Sequence, residues 1–293
     1  MIKVFTVKNK ELFEKHIHSK REIDDIVGDI KRAWVDCSDI DEEETRIISE
    51  LLGVAASTLD GIEDGIIRPN YAKCLDETCP YYTWISTPVV EFKDDLTLHP
   101  LSIILKERFL ITMRTKYSDK LIESTLRFFK VLAPAERKPT VILSKLVGEI
   151  IAENSGAMVS IRDLIDNIEA QAMEGPSQKS VTTSIFKLKR RLSTLHRLLW
   201  AEKELLSDLN LGVIPNLKLV PEAKLIIEDA SDDITRELDF IDSFNNSLDS
   251  ILRLQDLGSI HRVETKLVFL TVSLVVLTTI LIVLEIAAKL AGA

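Results

Sequence analysis

The stretch LVFLTVSLVVLTTILIVL, from Leu267 to Leu284, decides the architecture, because it holds eighteen consecutive residues without a charge. With a rise of about 1.5 Å per residue, such a helix is about 27 Å long, close to the hydrocarbon thickness of a bilayer. The alternative is a buried core helix, but a core helix of this length is rarely apolar on every side. The stretch therefore predicts a transmembrane helix over residues 265–290.

The charges that flank this segment predict its orientation. His261, Arg262 and Lys266 precede it, whereas Lys289 is the one cation beyond it. Positive residues are enriched on the cytoplasmic side of membrane helices. We therefore expect a single-pass protein of the cell membrane whose N-terminal body lies in the cytoplasm.

The segment before the membrane helix reads as a long stalk helix over residues 221–264. After Pro221 it contains no further proline and one glycine, Gly258. Apolar residues recur mostly in three- and four-residue steps, which is typical of a helix that packs along a narrow stripe. We expect one helix of about 100 Å that continues into the membrane and self-associates around an axis, because a small domain cannot cover so long a stripe. The stripe comprises Ile227, Ala230, Ile234, Leu238, Ile241, Leu248 and Leu252.

A helical hairpin is predicted over residues 133–220. An amphipathic pattern runs from Val141 to Met173, and a second runs from Ser180 to Asn210. The sequence Glu174-Gly-Pro-Ser177 separates them and contains the residues that end helices. Two long helices joined by a short break form an antiparallel pair.

Residues 1–132 are predicted to form a mixed α/β domain. Ser38-Asp-Ile-Asp41 precedes a helix over Glu42–Leu52, whose acidic first turn suits the helix dipole. The fold class is therefore α+β, with a mixed-sheet domain, a helical hairpin and a very long stalk helix that continues into one transmembrane helix. β-branched and aromatic runs bounded by turn residues predict strands at Ile2–Val7, Ala33–Cys37, Tyr82–Phe92, Leu101–Leu105 and Phe109–Met113.

Composition narrows the possible functions. The 293 residues carry a formal net charge of −9, which disfavours nucleic acid as a partner and favours cations. Three irregularly spaced cysteines argue against a disulfide framework and suit a reducing compartment. No nucleophile elbow, phosphate-binding glycine loop or zinc-hydrolase spacing is present, so we expect no enzyme.

Three local sequences occur in a fixed order before the membrane segment. They are Trp34-Val-Asp-Cys-Ser-Asp-Ile-Asp-Glu-Glu-Glu44, the pair Arg68-Pro69 after Leu59-Asp60, and Leu188-Lys-Arg-Arg191. They are similar to a Trp-Ile-Asp-Leu stretch with an acidic helix start, an Arg-Pro pair and a Leu-Lys-Arg helix of one family. In this order and spacing, the chain resembles the CorA-type divalent-cation channels of magnesium and cobalt along nearly its whole length.

The resemblance implies a homopentamer in the lipid bilayer, with stalk helices around a central path and regulatory Mg²⁺ sites between neighbouring cytoplasmic domains. The aspartate pair of the family matches Asp229 and Asp232, which lie three residues apart on one helix face. Its opposing acidic turn matches Asp60 and Gly61, with Asp64 nearby. Carboxylate oxygens are ligands that Mg²⁺ prefers. Candidates to line the central path are Asn245, Glu264, Thr271 and Thr278.

The chain also departs from the family pattern. The Gly-Met-Asn motif after the first membrane helix is matched by Ala288, Lys289 and Leu290, and we expect no second span. An acidic stalk position is matched by Arg253, and a ring of arginines would oppose cation flow. Two functions stay open: a divalent-cation transporter subunit, and a non-conducting metal sensor, scaffold or partner of a full-length relative.

Overall fold

The computed structural model describes residues 1–8, 11–17, 19, 21–22, 33–55, 59, 69–72, 82–93, 95–106, 109–133, 136–174, 178–214 and 217–291. The chain divides into two compact units. The first comprises Met1–Asp163 with Arg190–Ser243, and the second comprises Leu164–Lys189 with Phe244–Ala293.

One seven-stranded sheet organises the N-terminal part of the first unit. Its strand order is β2-β1-β3-β7-β6-β5-β4. The β3–β7 pair is parallel and every other pair in this sheet is antiparallel, so the sheet is mixed as predicted. The strands are Ile2–Lys8 (β1), Glu11–Ile17 (β2), Ala33–Ser38 (β3), Asn70–Ala72 (β4), Tyr82–Phe92 (β5), Leu96–Lys106 (β6) and Phe109–Arg114 (β7).

Helix α1, Glu42–Leu52, begins where the sequence predicts. The Asp41 side chain accepts a hydrogen bond from the Glu44 backbone N–H at 2.8 Å, and the Glu44 carboxylate accepts one from the Asp41 N–H. This reciprocal cap satisfies two backbone donors at the helix start. Gly53 ends the helix in the left-handed conformation with φ 75°, which glycine adopts at little cost.

A hydrophobic core lies between α1 and the central strands of the sheet. Ile48 and Leu52 of α1 are fully buried with Val4, Val35 and Ile111 of the sheet. Burying one such aliphatic side chain stabilises a fold by about 1.5–3 kcal/mol. The buried residues Ile48 and Leu52 recur four residues apart on α1, so one face of the helix packs on the buried central strands.

The remaining described helices are long and follow the sheet in sequence. They are Asp119–Val131 (α2), Pro139–Glu174 (α3), Gln178–Leu211 (α4) and Pro221–Ala291 (α5). Helices α3, α4 and α5 match the long helices predicted from the sequence, and α5 runs without interruption from the stalk into the apolar segment. The predicted fold class, a mixed-sheet domain followed by long helices and one apolar C-terminal helix, is confirmed.

The apolar stripe of α5 is covered differently from our expectation. Ile227, Ile234 and Ile241 are fully buried within the single chain, and Leu248 is buried as well. We expected neighbouring copies to cover this stripe, and that reasoning is wrong because the chain's own helices supply the partners. Self-association, if it uses α5, must use other faces of the helix.

The second unit has its own polar contacts between helices. Lys189 Nζ of α4 lies 2.5 Å from the Asp249 carboxylate of α5. Gln255 Nε2 of α5 donates to the carbonyl oxygen of Ala172 on α3 at 3.2 Å. Segments of α3, α4 and α5 are thus joined within this unit before α5 becomes fully apolar.

Candidate metal site and membrane segment

The C-terminal part of α5 has the properties of a membrane span. In the described part of the chain, Val263–Ile282 is the one stretch long and apolar enough to cross a bilayer, with a mean hydropathy of 2.2 and no buried residue. Twenty exposed, mostly apolar residues are unfavourable in water and favourable in lipid.

The hydroxyls within this span are satisfied by the helix itself. Thr271 Oγ1 donates to the Leu267 carbonyl at 2.8 Å, and Thr279 Oγ1 donates to the Val275 carbonyl at 2.7 Å. Such internal bonds lower the cost of placing a hydroxyl in hydrocarbon. Threonine and serine are therefore compatible with a span here.

Three of the four candidate path-lining residues share one face of α5. Glu264, Thr271 and Thr278 are exposed and recur every seven residues, which is close to two helical turns. Arg253 is exposed and lies eleven residues before Glu264, so it falls about 20° from the same line. Asn245 is half-buried and lies about 100° away on a regular helix.

Asp229 and Asp232 are both exposed on the first part of α5. No ion pair to either carboxylate is found within the described residues, whereas the neighbouring Asp233 pairs with Arg236 one turn on. Two unpaired carboxylates three residues apart form a partial set of oxygen ligands. A cation would need further ligands to replace its water.

Those further ligands are not supplied by the described part of the chain. In these ranges, no group of three or more His, Cys, Asp or Glu side chains is placed to hold a metal ion. Asp60 and Asp64, the predicted opposing acids, lie outside the described residues, as do Gly61 and Arg68. The metal site therefore stays a prediction.

A buried polar layer lies among the helices of the first unit, and sequence reasoning missed it. Glu202 of α4 is 2% exposed. Its Oε2 accepts a hydrogen bond from Asn154 Nδ2 of α3 at 2.9 Å, and its Oε1 lies 3.5 Å from Thr87 Oγ1 of β5. Burial raises the pKa of Glu202 to about 8, aided by the nearby Glu237 charge, and the bonds from Asn154 and Thr87 oppose this rise.

Glu237 of α5 is the second buried acid, also 2% exposed. Its Oε1 accepts a hydrogen bond from Ser155 Oγ of α3 at 2.6 Å. Burial raises the pKa of Glu237 to about 7, the bond from Ser155 opposes this, Asp233 raises it further and Arg236 lowers it. Two acids that hold protons near neutrality therefore face the same helix, α3.

The sequence contains a signal for this layer. Glu202 falls at an apolar-stripe position of α4, between Leu198 and Leu205. Asn154 falls likewise between Ile150 and Met158 of α3. A polar residue at a stripe position is rarely buried unless it is hydrogen-bonded.

Trp34 and Asp36, which belong to the first family-like sequence, have structural partners in the sheet. The Arg114 guanidinium binds Asp36 through Nε to Oδ1 at 2.9 Å and Nη2 to Oδ2 at 2.8 Å. Thr112 Oγ1 donates to Asp36 Oδ1 at 2.7 Å and accepts from Trp34 Nε1 at 3.1 Å. These contacts join β3 to β7, so this sequence stabilises the parallel strand pair.

Solved structures with similar folds include a magnesium transporter and a cytoplasmic domain. The CorA magnesium transporter of Methanocaldococcus jannaschii matches with a TM-score of 0.72 and 19% identity over 91% of this chain and 79% of its own. The ZntB cytoplasmic domain of Vibrio parahaemolyticus RIMD 2210633 matches with a TM-score of 0.59 and 15% identity over 89% of this chain and 98% of its own. At these identities the likeness shows the fold.

A relative of known sequence and a family model agree with the fold. The cobalt/magnesium transport protein CorA of M. jannaschii is 24% identical over 195 residues, which cover 64% of this chain and 58% of that relative. The match thus spans less than two thirds of the relative's length. The model of the CorA-like Mg²⁺ transporter protein family matches residues 31–282, and that family comprises membrane ion transporters rather than enzymes. Because this match runs from the sheet into the apolar segment of α5, the chain belongs to the CorA-like Mg²⁺ transporter family.

Proposed function

We propose that this chain is a membrane-anchored subunit of a divalent-cation transporter or channel, for Mg²⁺ or Co²⁺, with a cytoplasmic metal-sensing domain. The observation that carries the proposal is the family match over residues 31–282. It includes most of the α/β domain, the long helices and the apolar segment, so it covers both the proposed sensing and membrane parts.

The sensing proposal depends on Asp229 and Asp232. Both carboxylates are exposed, on the same face and without an ion pair in the described residues, so they are available to a hydrated cation. Asp60 and Asp64 of a neighbouring subunit would complete the ligand set in a homopentamer. Bringing these acids together costs Coulomb energy, and a divalent cation removes that cost.

The transport proposal depends on the line of Glu264, Thr271 and Thr278 along α5. In a ring of subunits, one helix face can line a central path, and Glu264 would attract cations at its cytoplasmic end. The N-terminal body would then lie in the cytoplasm and the apolar segment would cross the cell membrane. Asn245 lies off this line and is the weakest of the four candidates.

A second function is favoured by a specific observation. Arg253 lies near the line of Glu264, and a ring of arginines would repel cations from a path there. Lys289 stands where the family has its Gly-Met-Asn motif. These residues favour a non-conducting metal sensor or scaffold, or a partner that conducts only together with a full-length relative.

The sensing proposal is tested by magnesium-dependent stability of the full chain in detergent. A ligand that binds only the assembled state at one hundred times its dissociation constant stabilises it by about 2.7 kcal/mol. We expect Mg²⁺ to raise the melting temperature and protease resistance, and Asp229→Ala with Asp232→Ala to abolish both effects. Sodium chloride at matched ionic strength controls for screening. Equal protection by sodium, or an unchanged response in the double variant, would contradict a site at this pair.

The pentamer is tested separately by mass measurement of the detergent-solubilised chain. We expect five copies with and without Asp229→Ala and Asp232→Ala, because α5 retains other contact faces. A clean monomer at micromolar concentration would contradict the proposed assembly. The two measurements thus distinguish loss of the metal site from loss of the oligomer.

A further inference from the structure

The buried polar layer of the first unit is not used by the proposed transport or sensing sites. It joins four elements: Thr87 of β5, Asn154 and Ser155 of α3, Glu202 of α4 and Glu237 of α5. Ser155 lies at the exposed rim of the layer, whereas the other four residues are buried. The contacts from α3 are hydrogen bonds to the two acids, one on each neighbouring helix. The layer therefore fastens α4 and α5 to α3.

The charged groups that face this layer are few. The Glu237 carboxyl raises the pKa of Glu202, and α5 adds Asp233 and Arg236 near Glu237. The residues contributed by α3 and β5, namely Asn154, Ser155 and Thr87, carry no charge. Arg236 is already paired with Asp233, so the described residues provide little positive charge to balance two buried carboxylates.

The buried polar layer has too few hydrogen-bond donors for its acceptors. Within the described residues, Glu237 Oε2 and Asn154 Oδ1 are buried acceptors without a hydrogen-bond partner. A buried acceptor without a donor costs free energy, and a carboxylate costs more than a neutral group. A proton on a carboxyl oxygen removes a buried charge and turns one acceptor into a donor, so protonation lowers the cost of burying these acids.

We propose that Glu202 and Glu237 form a proton-sensitive latch, which holds α5 against α3 and α4 while the acids are protonated and loosens as they lose protons. The latch acts on the helix that continues along the chain into the apolar segment. It rests on contacts within the first unit and does not depend on whether the chain conducts ions.

The direction of the pH effect follows from linkage. Both acids have pKa values in the folded state, about 8 and about 7, that lie above the ordinary value of 4.5. An opened latch exposes the acids to water, so it releases protons that the closed latch retains. Rising pH therefore favours the open form. For each acid this effect runs from the ordinary pKa of 4.5 up to its raised pKa in the closed form.

Infrared spectroscopy of the full chain in detergent tests the protonation directly. Above about pH 6 exposed carboxyls are ionised, so a remaining carbonyl stretch of a protonated carboxyl reports buried acids. We expect this band in the wild type, with a decrease toward alkaline pH. Glu202→Gln and Glu237→Gln should each remove part of it. The matched control is Glu228→Gln, because Glu228 is an exposed glutamate on α5 and its variant should retain the full band.

Hydrogen exchange of α5 over residues 227–241 tests the latch. We compare the wild type with Glu237→Gln at the same pH. The pH dependence of the chemical exchange rate of an open amide then cancels from the comparison. The ratio of wild-type to variant exchange should rise about five- to sevenfold per pH unit between about pH 5 and 7, because opening releases somewhat less than one proton over this range. Glu228→Gln should show the wild-type behaviour.

Two results would overturn the inference. One is the absence of a protonated-carboxyl band above pH 6, or a band that neither glutamine variant changes. The other is an exchange ratio for α5 that stays constant across this pH range. If a glutamine variant does not fold, the wild-type band and its pH dependence still decide whether the buried acids hold protons.

Discussion

Replacement of Arg114 by methionine should destabilise the first unit strongly. The Arg114 side chain is 5% exposed and that of Asp36 is 2% exposed, and two bonds of 2.9 and 2.8 Å join them. Removing the guanidinium leaves Asp36 as a buried charge, with Thr112 as its remaining side-chain donor in the described part of the chain. Breaking a buried pair in this way costs about 3–5 kcal/mol. Asp119 also loses a partner, but it is largely exposed, so its loss contributes little.

The magnitude is tested by a double-mutant cycle. Urea unfolding of the full chain in detergent, followed by tryptophan fluorescence to which the buried Trp34 contributes, gives the free energy of unfolding. Asp36→Leu combined with Arg114→Met removes both charges, so we expect the double variant to recover most of the stability lost in Arg114→Met. Lys116→Met is the matched control, because Lys116 is 80% exposed and its 3.8 Å pair with Asp39 is worth less than about 1 kcal/mol.

Two outcomes would refute this reasoning. Arg114→Met could cost less than about 1 kcal/mol, in which case water or relaxation compensates the Asp36 charge. Alternatively, the double variant could be less stable than Arg114→Met, in which case the carboxylate is stabilised by groups other than the guanidinium. Either result would remove the assigned structural role of the Trp34–Asp36 sequence.

Three further predictions concern stability. Asp41→Ala removes the cap of α1 and should cost about 1 kcal/mol in urea unfolding, whereas no loss would contradict the capping role. Gly156→Ala should stabilise α3 by about 1 kcal/mol, because no atom lies within 4 Å of the added carbon; a loss would indicate an unseen contact. Between pH 5 and 8 the free energy of unfolding of the wild type should fall by about 3–4 kcal/mol because of Glu202 alone. The reason is that the unfolded chain releases the Glu202 proton near pH 4.5 and the folded chain releases it near pH 8. Glu202→Gln should not show this loss.

The long-range architecture was predictable because its signals are local. The α1 helix has a capping box at its start and a left-handed glycine at its end, and the predicted bounds agree with the structure. The apolar segment of α5 is decided by length and hydropathy alone. Neither feature depends on which other element packs against it.

Edge strand β2 and the start of the interior strand β6 were less predictable. Strand β2, Glu11–Ile17, was missed because its charged sequence lacks the apolar alternation of a half-buried strand, and the described structure pairs it only with β1. Strand β6 begins at Leu96, five residues before the predicted Leu101, and Pro100 lies in the part that was missed. Pro100 lies opposite Pro88, and β7 pairs with β6 only from Leu101 onward. A proline without an N–H is tolerated where no neighbouring strand needs its donor.

The candidate sites show the limits of a single sequence. Periodicity identified the stripe of α5 but not its partner, so burial by the chain's own helices was mistaken for a need for other copies. The same periodicity placed Glu202 among apolar residues, and that exception was the evidence for a buried acid. Metal ligands contributed by different subunits have no local pattern, and for that reason Asp229 and Asp232 stay predictions.

The most direct test of the central claim is Mg²⁺ flux into liposomes that contain the purified full chain alone, with an Mg²⁺-sensitive dye inside. We predict uptake that depends on the protein and exceeds that of empty liposomes. Arg253→Glu should increase uptake, because an acidic ring near Glu264 would attract cations. Inserted, folded protein that gives no uptake, while Mg²⁺ still stabilises it, would contradict a transporter and support the non-conducting sensor.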